Sequence, residues 1–528
     1  MSEKREKVVL TTIATQAKYV QLGLYNLKAY WIKSSRSPSL IDIDIDVIYS
    51  EKFYSIPGSV YPYLDSHALF YHAMKIIEKK PRVIGLSCYM WNIESTIQLI
   101  RVIKKINSKI SIVLGGPEAS SDPVLLMKKE KLIDVIVRDE GEATFSELLN
   151  YFYHKKGNIK KIKGISYRSG KRIYHNQARP PLDVNELPSP YLCGLIDMKE
   201  KDICYSIETS RGCPFTCAYC TYSIGQNHIL RFFPISRVNE EIAYVLKNRV
   251  KRLWIVDDNF NINPPRAKKI LEEAKKYRVN TSIQLFINAS MWVIDDDFIT
   301  LLKENNTVSL VGVQITNSKV LSIIKRKNIL SSLEKNLVRF DQNKIKYKLQ
   351  FILGLPGSTY EDFKNSLNWA FRFDSLAIDF FPLLVLQGTQ IYKEAKRLGI
   401  QYHSQPSYMV KETKQMKEKE INDSLNMIIA LKILYNYHFY KDTLNYLTKH
   451  SSVQFTDVLS EWVKKYQFKI DMSLNPSKYQ KLFTDYLIKK YAIQVNMKEL
   501  ANAFKNDNKD YKKFLVEDVT IDKRKYSH

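Results

Sequence analysis

The feature that most limits what this chain can fold into is an alternation of short β-branched runs with amphipathic stretches, in two successive series. VVLTT (8–12), DIDIDVIY (42–49), RVIGLS (82–87), SIVLGG (111–116) and DVIVRD (134–139) read as strands of the first series. Between two of them, WNIESTIQLIRVIKKI places Ile93, Ile97, Ile100 and Ile103 on one helical face. Strands alternating with helices predict a parallel sheet covered on both sides, with ligands beyond the carboxyl ends of its strands. Those ends are SCYMWN (87–92), GGPEAS (115–120) and RDEGEAT (138–144).

A proline-rich bridge, ARPPLDVNELPSPYL (178–192), interrupts the pattern and reads as a domain boundary. The second series starts after it, with strands expected at 204–210, 252–259, 282–290, 310–315, 347–354 and 376–385. Six βα units fall short of an eight-stranded barrel, so a partial barrel is expected, with its site at the strand C-termini. After about residue 400 the pattern turns helical, aromatic and lysine-rich.

At 528 residues the chain exceeds what one hydrophobic core serves, and its 45% apolar and 26% charged residues are those of a folded polypeptide. The first residues, MSEKREKVVLTT, carry no apolar export region, and no uncharged stretch is long enough to cross a bilayer. LNMIIALKILYNYHFY (425–440) is the most apolar helical candidate; Lys432 interrupts it, which reads as a buried helix. The expectation is a cytoplasmic protein without a membrane partner, whose cysteines stay reduced, so that a local cysteine cluster speaks for metal rather than disulfides. The formal net charge of +26 is spread along the chain: residues 401–528 hold 22 Lys+Arg against 15 Asp+Glu, close to their share by length. Without an arginine-rich arm or a focused basic stretch, this reads as a general lysine bias and not as a nucleic-acid surface.

Three of the six cysteines, Cys213, Cys217 and Cys220, fall in TSRGCPFTCAYC (209–220), directly after an expected strand. Structural zinc asks for four ligands, and the nearest fourth is His228, eight residues on. A [4Fe–4S] cluster held by three thiolates instead leaves one iron open to a substrate or cofactor. Cys-x3-Cys-x2-Cys with an aromatic residue, Tyr219, before the last cysteine resembles the signature of radical S-adenosylmethionine (SAM) enzymes. The resemblance implies that the three cysteines hold the cluster and that the open iron chelates the amino and carboxylate groups of SAM. One electron through the cluster then cleaves SAM to a 5′-deoxyadenosyl radical.

Further stretches extend the resemblance over roughly residues 200–400. WIVDDNF (254–260) stands where the family contacts the SAM amino group, which implies Asp257 and Asp258, since a carboxylate accepts from an ammonium. GVQITNSKVLSIIKRK (312–327) resembles the fourth-strand stretch, with Gln314 retained and Ile315 in place of the usual serine. FILGLPGSTYEDF (351–363) resembles the fifth-strand stretch and LQGTQIYKEAKRLGI (386–400) the sixth. Tyr219, Ser290 and Gly354 complete the SAM-binding set that the resemblance implies.

Ahead of that core, GLSCYMWN (85–92), VLGGPEAS (113–120) and VRDEGEATF (137–145) resemble the cobalamin-binding domain of one large class of these enzymes. Gly115 and Gly116 let the backbone come close to a ligand, as a nucleotide tail slotted beside a sheet requires. The implied cobalamin contacts are Ser87, Tyr89, Met90, Trp91, Asn92, Gly115, Gly116, Glu118, Glu140 and Gly141. Enzymes that ligate cobalt through histidine carry D-x-H-x-x-G. Here Asp65-Ser66-His67-Ala68-Leu69-Phe70 ends in Phe70 and lies in an expected helix, so His67 reads as an ordinary helix residue. Met90, Trp91 or Asn92 are then the groups beneath cobalt, while Cys88, Cys193 and Cys204 read as small buried hydrophobes.

The expected architecture is α/β: an N-terminal Rossmann-like, doubly wound cobalamin-binding domain (1–150), a linker (151–200), a partial (β/α)6 radical SAM barrel (201–400) and a helical C-terminal region (401–528) capping the cavity between them. The class implies a cobalamin-dependent enzyme that methylates an unactivated carbon of a small molecule, natural-product precursor or peptide. A flavodoxin- or ferredoxin-type donor would supply its electrons. The rivals are a cobalamin-dependent rearrangement without methyl transfer and a non-catalytic protein that holds cluster and corrin. No acid–base residue of the reaction carries a signature in the chain.

Overall fold

The computed structural model describes residues 5–466 apart from 15–18, 36, 51, 57–58, 155–156, 202, 225–227, 278–282, 328, 438–439 and 451–452, and beyond them only 483, 486–487, 490, 499 and 502–507. The first series forms β1 (Glu6–Ala14), β2 (Ile41–Tyr49), β3 (Val83–Ser87), β4 (Ser111–Gly115), β5 (Val135–Val137), β6 (Ile165–Ser169) and β7 (Arg172–His175). They make one sheet in the order β2-β1-β3-β4-β5-β6-β7, parallel as far as β5 and antiparallel beyond it.

Alternate strand residues point to opposite faces, and both faces are apolar. Helices α1 (Leu22–Ser34), α2 (Ser66–Glu78), α3 (Ile93–Ile106) and α4 (Glu142–His154) cover them. Val8, Leu10, Val113 and Val137 share a core with Leu24 and Trp31 of α1 and with Phe145 and Leu148 of α4. Val9, Ile84, Ile112 and Ile136 share another with Leu69 and Ile76 of α2 and with Ile97 and Ile100 of α3. The neighbours of β1 are β2 and β3, so the chain changes direction there and a crevice opens at the carboxyl ends of those strands.

The expected linker at 151–200 is corrected. Its first half supplies β6 and β7, an antiparallel extension of the first sheet. Its second half packs on the other unit: Val184, Leu187 and Tyr191 belong to that core, and the Tyr191 hydroxyl donates to the Ser206 carbonyl at 2.7 Å.

The second series forms a fully parallel sheet in sequential order: β8 (Cys204–Ile207), β9 (Arg252–Ile255), β10 (Gln284–Asn288), β11 (Thr307–Gln314), β12 (Lys346–Leu353) and β13 (Ala377–Pro382). Helices α5 (Ile235–Lys247), α6 (Pro264–Lys276), α7 (Asp296–Glu304), α8 (Ser318–Ile323), α9 (Leu330–Gln342), α10 (Tyr360–Ala370) and α11 (Gln390–Leu398) connect and follow the strands. Neither edge of the sheet is left bare. At β8, Tyr19 forms an isolated bridge with Cys204, and Val20 N donates to the Cys204 carbonyl at 3.2 Å. At β13, the Asn436 amide imitates a strand, accepting from Ile378 N at 2.9 Å and donating to its carbonyl at 3.0 Å.

Past residue 400 the described chain is largely helical: α12 (Glu418–Leu431), a π-turn at Lys432–Asn436, α13 (Lys441–His450) and α14 (Phe455–Tyr466). The buried helix expected over 425–440 runs on through Lys432, which keeps helical backbone angles, and widens into the π-turn that ends at Asn436. These helices extend the second core, with Phe455 stacked on Phe371. Most of the expected region after 466 lies outside the described residues. Among those described, no helix is long and apolar enough to cross a membrane.

Candidate active site

A cavity of about 700 Å³ opens where the carboxyl ends of the two sheets face each other. One arm runs into the first unit between the sheet and helices α1 and α4, walled by Leu10, Gly85, Val113, Val137 and Phe145. The other is bounded by residues just after the third cysteine, Thr221, Tyr222 and Ile224, and by Asp258 at the end of β9. Of the residues expected to contact cobalamin, Ser87, Tyr89, Met90, Trp91, Gly115, Gly116, Glu118, Glu140 and Gly141 all line this cavity. Tyr89 and Trp91 stack at 4.5 Å between ring centroids, nearly parallel at 8°, which makes a flat aromatic wall.

Asn92 does not belong to that wall. Its amide is buried behind the loop, donating to Thr12 Oγ1 and the Ile13 carbonyl while its oxygen accepts from Tyr89 N at 2.8 Å. It holds the loop in shape, so Met90 and Trp91 are left as the cavity-facing candidates beneath cobalt. His67 is exposed on α2, after the N-cap Asp65, and no histidine lines the cavity among the described residues. Gly116 has φ +93°, and a Cβ there would lie 2.5 Å from the Cys88 carbonyl oxygen. The loops after β3 and β4 touch at this point, which sets the shape of the cavity floor. Cys88 and Cys204 are buried as expected; Cys193 is exposed, which corrects its reading as a buried hydrophobe.

The cysteine loop leaves β8 and is closed at its base by a short antiparallel ladder, Ser210 to Phe232 and Arg211 to Arg231. Asp257 fixes that base. Its buried carboxylate accepts from Thr209 N (2.7 Å), Thr209 Oγ1 (2.5 Å), Ser210 N (3.1 Å) and Ser210 Oγ (2.7 Å). With its acceptor sites so filled it has no place for a SAM ammonium, which corrects the pairing of Asp257 with SAM. Asp258 is the carboxylate that reaches the cavity. Burial, then the charge of Asp257, push its pKa up to about 7 against a hydrogen bond from Tyr222.

None of the six cysteines is joined in a disulfide. Burial pushes the pKa of Cys213 up and that of Cys220 to about 11, so metal binding must displace their protons. Among the described residues no three His, Cys, Asp or Glu side chains converge as ligands of one metal ion. Arg326, which sequence reasoning left without a role, extends its Nη1 to 3.9 Å from Cys217 Sγ and donates from Nη2 to the Gly312 carbonyl at 3.1 Å. Its Nε is buried without a partner. A soft three-sulfur set beside a buried cation fits an anionic iron–sulfur group with thiolate ligands.

The remaining expected SAM contacts divide. Tyr219 lies against Cys217 and Arg326. Ser290 lines a small hollow with Gly312 and Arg326, and its Oγ accepts from Asn259 at 2.8 Å. Gln314 sits at a strand irregularity with φ +72°, its amide folded over Gly312. Gly354 is removed from the site: a Cβ there would meet Val410 Cγ1 at 2.8 Å and Ile421 Cδ1 at 3.2 Å, within the C-terminal packing. Nor do the described residues of the C-terminal region cap the cavity: none after Gly388 lines it. Tyr408 reaches only the rim, where its hydroxyl donates to Glu118.

Sequence reasoning also missed the ion pairs that join the units. The Arg231 guanidinium grips both Glu140 oxygens, and Glu140 also accepts from Leu182 N at 2.8 Å. Arg211 bonds Glu142 at 2.8 Å and Glu208 at 2.9 Å. Nothing in local spacing marks Arg231–Glu140 or Arg211–Glu142, whose partners lie far apart in the chain.

These two arms match two families. The Radical SAM superfamily matches residues 207–370 and the B12 binding domain matches residues 66–149. The chain therefore carries in one polypeptide the two domains that define the cobalamin-binding class of radical SAM enzymes, with a [4Fe–4S] cluster, SAM and cobalamin as their cofactors. It is 27% identical to 2-(S-pantetheinyl)-carbapenam-3-carboxylate methyltransferase of Streptantibioticus cattleyicolor over 77% of this chain and 65% of that protein. It is 29% identical to the cobalamin-dependent radical SAM methyltransferase TokK of Streptomyces tokunonensis over 54% and 44%. The match thus spans less than two thirds of either relative. In fold it resembles the cobalamin-dependent SAM radical enzyme OxsB solved with aqua-cobalamin and SAM, at TM-score 0.60 and 13% identity over 98% of this chain and 81% of that one.

Proposed function

We propose that this protein is a cobalamin-dependent radical SAM methyltransferase acting on an unactivated carbon of a small molecule, natural-product precursor or peptide. One observation carries the reading: a single cavity is lined both by the first-unit residues expected around the corrin and by Tyr222 and Asp258 beside the cysteine loop. When bound, the three groups supply one-electron reduction, hydrogen-atom abstraction and a transferable methyl group.

The chain's own residues bind and orient. Cys213, Cys217 and Cys220 hold the cluster, with Arg326 beside Cys217. Asp258 would accept from the N–H of the SAM amino group, with Ser290 and Gln314 near its remainder. The Tyr89–Trp91 stack and Met90 would hold the corrin, and the Leu10–Phe145 slot would take its tail. Met90 and Trp91 are weak or non-coordinating side chains. The two units excluding water between them keep the reaction dry.

The test is anaerobic reconstitution of the full chain with iron, sulfide, hydroxocobalamin and SAM under reducing conditions. The account expects about four irons per chain, a base-off corrin spectrum, and formation of 5′-deoxyadenosine together with S-adenosylhomocysteine once substrate is present. Deoxyadenosine without S-adenosylhomocysteine points to the rearrangement reading. An intact cluster that never cleaves SAM leaves only the binding-protein reading.

A further inference from the structure

The cysteine loop is held from outside at Ala218. Ala218, between Cys217 and Tyr219, donates its N–H to the Ile324 carbonyl at 2.9 Å and accepts from Ile391 N at 3.0 Å. The end of α8 and the start of α11 therefore clasp the cysteine loop from outside. Arg326 reaches Cys217 Sγ from this same stretch, and its two chain neighbours, Lys325 and Lys327, are exposed. Arg326 thus lies between these exposed lysines and the Cys217 sulfur.

The surface there is strongly one-signed. Residues 318–327 and 390–398 hold seven Lys or Arg against one acid, Glu394, which is paired with Arg397. Lys319, Lys325, Lys327, Lys393 and Lys396 are exposed and make no ion pair among the described residues. Lys325 lies near enough to Glu394 to help lower its pKa, so the two stretches form one face. Ile323, 46% exposed, supplies an apolar centre. None of these residues lines the cavity.

We propose that this face is the docking surface for a small acidic one-electron carrier protein that reduces the cluster. The inference rests on the function proposed above. Lysines around a small apolar centre steer an acidic partner into contact and release it again, which suits repeated electron delivery. In the step itself the carrier loses one electron and the cluster gains it; no bond is made or broken.

The test uses the full chain reconstituted with cluster and, as probe, flavodoxin in its hydroquinone form, which becomes the semiquinone on giving up one electron. Cluster bleaching is followed by stopped flow at low and high salt. The combined variant Lys319→Glu, Lys325→Glu, Lys327→Glu is expected to lower the low-salt rate by about tenfold or more and flatten its salt dependence. The pair Lys393→Glu, Lys396→Glu is expected to act in the same direction. Reduction by dithionite should be unchanged in both, which shows that the cluster site is intact. A wild-type rate with flavodoxin in these variants, or an equal loss from Lys128→Glu, Lys129→Glu on the first unit, would overturn the proposal. Fast reduction by flavodoxin without any SAM cleavage would leave the docking surface standing and remove the proposed function instead.

Discussion

Adjacent aspartates at the end of β9 do opposite work. Asp257 is spent inside the protein, holding the four donors at the base of the cysteine loop. Asp258 faces the cavity with a pKa near 7. Removing Asp257 with alanine leaves buried N–H and O–H groups without partners, so urea unfolding should lose about 3 kcal/mol and cluster content should fall with it. Asp258→Asn should leave the unfolding midpoint in place and weaken SAM binding. Below about 7 Asp258 holds a proton, which it must give up before its carboxylate can accept from the SAM amino group. SAM affinity, followed by calorimetry, should therefore tighten as pH rises toward 7, by up to about tenfold per unit, and be flat in Asp258→Asn. The sequence shows a strand ending in two carboxylates. It does not show which one turns toward the ligand, because that depends on which donors of Thr209 and Ser210 lie behind it.

At the level of elements, the site depends on loops held close by glycine and by backbone contacts. The loop after β3 and the turn after β4 meet at Gly116, where Cys88 N donates to the Gly115 carbonyl and Glu118 N to the Cys88 carbonyl. Gly116→Ala has neither the backbone freedom nor the space it needs. It should cost about 2 kcal/mol or more in a thermal or urea melt and release corrin from the reconstituted protein, as gel filtration with absorbance detection would show. Both strand series were legible in the sequence because buried parallel strands read as β-branched runs at regular intervals. β6 and β7 were not. Their short segments, ISYRS, buried over its first three residues, and RIYH, largely exposed, lack such a run and lie beside the proline-rich bridge. The widening into a π-turn at Lys432–Asn436 was equally hidden, because the residues on either side keep an apolar helical pattern while Asn436 is drawn to the edge of β13.

Across the whole molecule, the cavity exists because the two units are fastened with their strand ends facing. The Glu140–Arg231 fork and the Arg211 pairs lie beside it and are largely buried. Breaking a buried pair strands the remaining charge, so Arg231→Ala should destabilise the chain by about 3 kcal/mol and speed protease cutting between the units. What the sequence could not convey is this relative placement. It supplied the loop residues after β3, β4 and β5 and Asp258 by motif, but not the α1 wall of Gly23, Leu24, Asn26 and Leu27 nor Thr221, Tyr222 and Ile224. It assigned the roof to the C-terminal helices, whose described residues instead extend the second core through contacts such as Phe455 on Phe371. The central claim is that corrin and cluster share one cavity. Electron paramagnetic resonance of the full chain loaded with cob(II)alamin and a reduced cluster tests it most directly. The account predicts spin-coupled, broadened signals from two nearby centres; a simple sum of the two isolated spectra would contradict it.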